Sequence, residues 1–370
     1  MGRFFEEFEA GEVILTRGRT VTEADIMQYA GLCWDVQAEH TNAVFAKKGP
    51  FGERIGQQQL GILIAHGLIA STGALDGTLV SVLRLGWNFF NPIKIKDRLR
   101  VKMTVAEKKD VSIPAVGLIN FQFETINQKE QVVNRCARSV LVARRPEKAQ
   151  GSVFHRYVFM GLADLEPKGR DSRDPAASDG GGGGDASSRP SPQKKAAQAG
   201  GERRGKYFEE FELDEELVTD ARTVTEADLI NYTMLSWETD PLHTDAEYGR
   251  ASGYGGILAP ILLPIVFANG LGATLGFLAG TNRGALGDWW EFIDPVRIGD
   301  TLRFRQVIVG KSEAKDADTG IVTYGMEMID EEGRVVSRGQ RSALVARLPE
   351  GEAKPWNFVF GTSKELAKEE

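Results

Sequence analysis

Two long apolar runs dominate the hydrophobic pattern of this chain, residues 56–75 and 259–278, and each is followed by stretches in which apolar and polar positions alternate. An apolar run of this length with few polar positions predicts a helix buried on most sides. The alternation predicts strands at Leu83–Phe90, Arg98–Glu107, Ala115–Ile126 and Val132–Ala143, with counterparts at Trp289–Ile293, Thr301–Val309, Gly320–Ile329 and Arg334–Ala346. Turn residues at Asn127–Glu130 and Asp330–Gly333 make the last two strands of each set a hairpin. A shorter helix precedes each apolar run, started by Thr22 or Thr225 with an acid three residues on, Asp25 or Asp228. One buried helix enclosed by an antiparallel sheet is an α+β unit, and the chain contains it twice.

The doubling is a repeat in the residues themselves. A shift of 203 positions lays residues 4–147 on 207–350 with no insertion. Thr20–Asp25 then recurs identically as Thr223–Asp228, Tyr29 meets Tyr232, Trp87 meets Trp290, and Leu141–Arg144 meets Leu344–Arg347. This divides the chain into an N-terminal repeat at 1–160, a linker at 161–205 and a C-terminal repeat at 206–370. The linker's central stretch, Lys168–Arg204, is Gly, Ser, Pro, Ala and charge, with five consecutive glycines from Gly180 to Gly184. Such a composition cannot bury enough surface to offset chain entropy. As a flexible coil of roughly 36 residues it spans on the order of 33 Å, which lets the halves pack side by side. The apolar tails Ser152–Met160 and Trp356–Phe360 are expected to be ordered.

Composition narrows the partners. Apolar residues make up 42% and charged residues 26%, the balance of a soluble globular chain, and the net charge of −7 offers no global basic field to nucleic acid or to an anionic membrane. The run Ile257–Ala279 is long enough to span a bilayer. Pro260, Pro264 and Asn269 interrupt it, and its repeat partner carries Gln57–Gln59 and His66, so no membrane is expected. Two cysteines, Cys33 and Cys136, are too few for a disulfide framework or a metal site, and an acidic start in place of a secretory apolar core points to the cytoplasm. No metal is expected.

The candidate chemistry lies in the loop before each apolar run. Asp35 stands five residues before His40, and Glu238 five before His243, with Asp240 as a further carboxylate. A carboxylate beside an imidazole orients the ring and raises its basicity, and the pair can hold and deprotonate a water near neutral pH. Two of only four histidines fall at the same place in a repeat. Five residues do not share a helical face, so a bent loop must bring each pair together. His66 and Asn269 occupy one level of the two apolar helices and are expected to support the loop pairs. Cys33 is matched by Ser236, which speaks against a nucleophile there. Trp87 and Trp290 are expected in the core, and Arg135, Arg138, Arg338 and Arg341 on solvated strand faces.

The Thr-x-x-Asp helix start, the Asp35 to His40 and Asp240-Pro-Leu-His243-Thr-Asp245 loops, the Phe51-Gly52 turn, the apolar helix and the strand entry Phe292–Asp300 together resemble the MaoC-like dehydratase family, which includes the (R)-specific enoyl-CoA hydratases. The resemblance implies a tandem double hotdog, an internal pseudo-dimer with sites between its halves; further homo-oligomerisation is left open. It implies a hydro-lyase on acyl-CoA thioesters, with coenzyme A entering as part of the substrate and no separate cofactor. Asp35 and His40 would hold the water that adds to C3 of a 2-enoyl thioester, and a backbone N–H at the start of the buried helix, at Gln58 or Ile261, would polarise the thioester oxygen, with His66 and Asn269 also facing substrate. The chain departs from the family where Gln57-Gln58 and Pro260-Ile261 replace His-Gly, and where Glu238 replaces aspartate. Asp35/His40 is therefore expected to be the intact dyad. An acyl-CoA thioesterase and a non-catalytic acyl-CoA-binding protein are the competing readings.

Overall fold

The computed structural model describes residues 2–148, 205–252 and 254–349. The expected linker, save Gly205, and both apolar tails lie outside them. The N-terminal half runs β1 (Val13–Leu15), β2 (Arg19–Thr20), α1 (Glu23–Cys33), α2 (Ala38–Thr41), α3 (Ala43–Lys48), β3 (Ile55–Gly56), α4 (Gln58–Ala70), β4 (Leu79–Phe89), β5 (Ile93–Lys94), β6 (Arg98–Asp110), β7 (Val116–Ile126) and β8 (Val132–Ala143). The C-terminal half repeats this with β9 (Glu216–Val218), β10 (Arg222–Thr223), α5 (Glu226–Ser236), α6 (Pro241–Thr244), α7 (Ala246–Ala251), α8 (Leu263–Leu275), β11 (Asn282–Phe292), β12 (Thr301–Glu313), β13 (Thr319–Ile329) and β14 (Val335–Ala346).

The halves share one antiparallel sheet, in which β4 pairs with β11 and the order runs outward through β8, β7 and β6 on one side and β14, β13 and β12 on the other. Trp87 stands opposite Asp288, Gly86 opposite Trp289 and Leu85 opposite Trp290. Because these are repeat-equivalent positions, the register is that of a pseudo-two-fold axis through Gly86 and Trp289. Trp87 and Trp290 are buried beneath the join, as expected. The two buried helices α4 and α8 each pack on the short helix of the opposite half, α4 on α5 and α8 on α1.

The approach is close enough to require glycine. A Cβ on Gly67 of α4 would lie 1.7 Å from the Ser236 carbonyl oxygen, and one on Gly270 of α8 would lie 1.3 Å from that of Cys33.

Local rules account for most boundaries. Thr22 accepts from the Asp25 N–H at 3.2 Å while Asp25 accepts from the Thr22 N–H at 2.6 Å, and Thr225 and Asp228 repeat the box. The buried helices are shorter than the apolar runs. After α4 the chain turns at Gly73, which has a positive φ, and α8 begins at Leu263 because Pro260 and Pro264 break the preceding turn. Strands β4 and β11 start earlier than the alternation indicates, at Leu79 and Asn282. Register shifts at Leu79/Ser81, Val82/Arg84, Asn282/Gly284 and Ala285/Gly287 interrupt the period-2 pattern that would have revealed them. Among the described residues no helix is long and apolar enough to cross a membrane.

Arg138 and Arg341 correct the sequence reading. Arg135 and Arg338 are exposed as expected, but Arg138 is buried and the Arg341 side chain is 14% exposed, because both fall in phase with the inward positions of their strands.

Candidate active site

Helix α1 stops at Trp34, whose left-handed backbone (φ 74°) reverses the chain, and the Asp35 N–H donates to the Cys33 sulfur at 3.2 Å. Burial pushes the Cys33 thiol up, so it stays protonated as a fixed acceptor. Asp35 is thus set into the interior, where its Oδ1 accepts from the Gln37 side chain at 3.0 Å. His40, on α2, places Nδ1 2.9 Å from the Ile55 carbonyl oxygen. A carbonyl only accepts, so Nδ1 carries the proton and Nε2 keeps its lone pair. That lone pair faces Asp35 Oδ2 across 3.9 Å. A water about 2.8 Å from both atoms fits the gap. The pair opens on a cavity of about 180 Å³ that is walled by Gln57 and Gln58 from its own half and by Asn269, Gln306, Tyr324 and Arg341 from the other.

The equivalent loop is arranged differently. His243 Nδ1 lies 2.9 Å from the Leu258 carbonyl oxygen, repeating the tautomer lock. Glu238, however, is drawn elsewhere: Tyr232 donates its hydroxyl to Oε2 at 2.8 Å, and Oε1 lies 3.7 Å from His66 Nε2. Among the described residues His66, not His243, is the imidazole within ion-pair distance of Glu238. The extra methylene accounts for this, since the Tyr29 hydroxyl, at the repeat position, makes no hydrogen bond to Asp35. Asp240 caps α6 by accepting from the Leu242 N–H at 2.8 Å. The cavity here is about 60 Å³ and includes His66, Arg138, Glu238, Asp240, His243 and Ile261 in its wall.

Burial pushes His66 down to about 4, so it is a neutral ring at neutral pH. Burial also opposes ionisation of Glu238, but the surrounding His66, His243, Tyr232 hydroxyl and Arg138 outweigh it and hold the carboxyl below its usual range. With His66 neutral, the hydrogen bond from the Tyr232 hydroxyl still favours that charge at pH 7. Asp240 is raised, by burial first and by Glu238 beside it.

Each acid is braced from the opposite half. Arg222 donates to the Leu32 carbonyl at 2.7 Å, pairs with Asp228 at 2.6 Å, and lies 4.1 Å over the Trp34 ring and 3.7 Å over that of Phe267. Arg19 does the same for the other loop, donating to Leu235, pairing with Asp25 and lying 4.1 Å over Trp237. The last carbonyls of a helix lack intrahelical donors, and these guanidiniums supply them.

The helix starts differ as well. Gln58 is the first residue of α4, where a backbone N–H has no intrahelical partner. Ile261, expected at the equivalent place, lies two residues before α8. There the Leu263 N–H donates to the Pro260 carbonyl at 2.9 Å and Pro264 has no N–H to offer. His66 faces the Glu238 loop of the other half, and Asn269 lines the cavity of the Asp35 loop. Sequence reasoning passed over Tyr232, Arg138, Arg341 and the Arg19/Arg222 pair. The identical repeat extends one residue further, to Arg19 and Arg222, and the strand phase of Arg138 and Arg341 was a usable signal.

Comparison with known proteins agrees with this architecture. The family model described as MaoC like domain matches residues 6–120 and 210–328. Mesaconyl-CoA hydratase of Cereibacter sphaeroides is 26% identical over 328 residues, covering 86% of this chain and 87% of that protein. Protein MaoC of Klebsiella aerogenes is 32% identical over 106 residues, which is 29% of this chain and only 31% of that protein's length. Among solved structures, a MaoC domain protein dehydratase from Chloroflexus aurantiacus superimposes with a TM-score of 0.72 at 19% identity, over 94% of this chain and 98% of that one. A Mycobacterium tuberculosis protein with a double hotdog fold gives 0.68 at 17% identity, over 93% and 98%. With both repeats matched and the fold shared over 93–94% of the chain, the chain belongs to the MaoC-like domain family in its tandem, double-hotdog form.

Proposed function

We propose that this chain is a hydro-lyase that reversibly adds water across the 2,3 double bond of a 2-enoyl-CoA thioester, with the chemistry at Asp35 and His40. The observation that carries the reading is the tautomer-locked His40 Nε2 facing Asp35 Oδ2 across 3.9 Å at the wall of an inter-half cavity. Water held there gives a proton to Nε2 as its oxygen attacks C3, the π electrons move to the thioester oxygen, and the proton returns to C2. General acid–base catalysis of this kind contributes about 10²–10⁴-fold. The Gln58 N–H at the start of α4 stabilises the enolate oxygen, a role worth about 2.7–4 kcal/mol for one such donor. Family membership and the hydratase named among the relatives support the same reaction class.

The second loop contributes less to turnover in this reading, because Glu238 is held by Tyr232 and His66 and its cavity is the smaller. Incubation with crotonyl-CoA tests the reaction: loss of the enone absorbance without release of thiol is expected. Thiol release would make the protein a thioesterase, and neither signal across several acyl lengths would make it an acyl-CoA binder. His40→Ala is expected to abolish hydration and His243→Ala to spare most of it.

A further inference from the structure

The two cavities sit at equivalent places, yet their walls have diverged in one direction. Where the N-terminal sheet has Met103 and Phe121, the C-terminal sheet has Gln306 and Tyr324, and Leu79 is matched by Asn282. Ile69 of α4 is matched by Gly272 of α8, where even a Cβ would come within 3.1 Å of the Phe304 ring and 3.6 Å of the Gln306 amide. The cavity beside Asp35 and His40 is the larger, about 180 Å³ against about 60 Å³, and its wall includes Asn282, Gln306 and Tyr324. Polar atoms in its wall are buried without a hydrogen-bond partner: Gln57 Oε1, Gln58 Nε2 and Gln306 Oε1. Gln57 and Gln306 are 1% and 3% exposed, so bulk water does not serve them.

A wall of this kind is matched to its ligand. An alkyl chain entering it would leave those amides dry and unpaired, whereas an oxygen on the chain would satisfy them, since an amide offers a donor and an acceptor from one end. A site built to hydrogen-bond its substrate discriminates against the analogue lacking the polar group far more strongly than an apolar pocket discriminates between chain lengths. We infer that the Asp35/His40 cavity selects short enoyl thioesters whose far end carries a hydrogen-bonding oxygen, a hydroxyl or a carboxyl group, over alkyl chains of equal length. This rests on the hydratase reading for its chemistry and on Gln306, Asn269 and Tyr324 for its selectivity.

Five-carbon substrates separate the possibilities: 2-pentenoyl-CoA, 5-hydroxy-2-pentenoyl-CoA and glutaconyl-CoA, compared by kcat/KM in the full-length protein. At least one oxygenated substrate is expected to exceed pentenoyl-CoA by about tenfold or more. The arm that wins distinguishes hydroxyl from carboxylate. The double variant Gln306→Met, Tyr324→Phe, which installs the residues of the other half, is expected to invert that ratio. Calorimetric binding of the unreactive pentanoyl-CoA, 5-hydroxypentanoyl-CoA and glutaryl-CoA reads the selectivity without the chemistry. Preference for the alkyl thioester in binding and turnover, or a ratio that the double variant leaves unchanged, overturns the inference. Tighter binding of an oxygenated thioester with no hydration of any enoyl substrate upholds the selectivity and overturns the hydratase reading alone.

Discussion

Replacing Gly270 by Ala asks directly which of the two loops carries the chemistry. The added Cβ would sit 1.3 Å from the Cys33 carbonyl oxygen and 3.0 Å from the Trp34 nitrogen, against the peptide that ends α1, so α8 and the end of α1 must separate. Relief to an ordinary contact of about 3.4 Å needs a shift of about 2 Å, shared between the two helices. Asp35 is two residues from the clash and inherits on the order of half of it. In the proposed mechanism a water bridging Asp35 and His40 would then lose one of its two bonds, and displacement of a reacting group by about 1 Å costs about 10²-fold in rate. Gly67→Ala is the matched control, with its Cβ 1.7 Å from the Ser236 carbonyl, and displaces Glu238 instead. Overpacking of either kind destabilises by about 1–3 kcal/mol, so both variants are expected to melt lower by similar amounts. Measured as kcat/KM for crotonyl-CoA beside thermal melts, Gly270→Ala should lose about 10²-fold and Gly67→Ala less than tenfold. Loss confined to Gly67→Ala would refute the assignment and move catalysis to Glu238 and His243.

Other expectations follow from the same contacts. Arg222→Gln removes the donor to Leu32 and the cation over Trp34, and should lower kcat at the Asp35 loop by about tenfold with little change in KM; Arg19→Gln, which loosens the other loop, should not. His66 is held at about 4 in the folded chain against 6.5 in the unfolded one, so between those values the unfolded state binds more protons and stability falls as pH falls. That amounts to about 3 kcal/mol across the window, and His66→Asn, the residue of the equivalent position, should flatten the dependence in urea titrations at pH 7 and 5. Glu238, whose folded carboxyl is held below its usual range, stabilises the fold above the unfolded value and loses that contribution as pH falls through the folded one. Tyr232→Phe should therefore reduce the acid sensitivity below about pH 4.5, and an unchanged acid limb would mean that the hydroxyl does not sustain the Glu238 charge.

What the sequence made legible was what local rules govern. Thr22 and Thr225 with their acids three residues on, the alternating strands β6, β7 and β8, and the buried helices all follow from caps and periodicity, and the loop histidines stood out because they recur. The bulged starts of β4 and β11 did not, since a bulge shifts the phase on which strand detection depends. The Glu238 replacement signalled that the two loops differ, but not where the longer acid would turn. That Glu238 turns to Tyr232 and His66 is decided by α5 and by a helix of the opposite half, which no spacing within the Glu238 loop encodes.

Fusion into one chain is what permits that divergence. In a two-fold homodimer every wall residue appears in both sites, so a change that widens one cavity widens the other. Asp288 illustrates the constraint. It is buried at the pseudo-axis, paired with Arg341 at 3.1 Å through Nε, and Arg341 in turn donates to Asn269 at 2.7 Å. Its repeat equivalent is Leu85, which lies diagonally across the β4–β11 pair. Two aspartates there would sit about 7–8 Å apart on the buried face, each raising the other's ionisation cost. One carboxylate facing a leucine avoids this and leaves Arg341 to orient Asn269 toward the Asp35 cavity, while Arg138 is left to Glu238. The leucine at position 85 is thus as much a part of the polar site as the residues that line it: Leu85→Asp would stand directly opposite Arg138 as Asp288 stands opposite Arg341, and should draw that guanidinium away from Glu238, raising the Glu238 carboxyl toward its ordinary range in a titration followed by NMR.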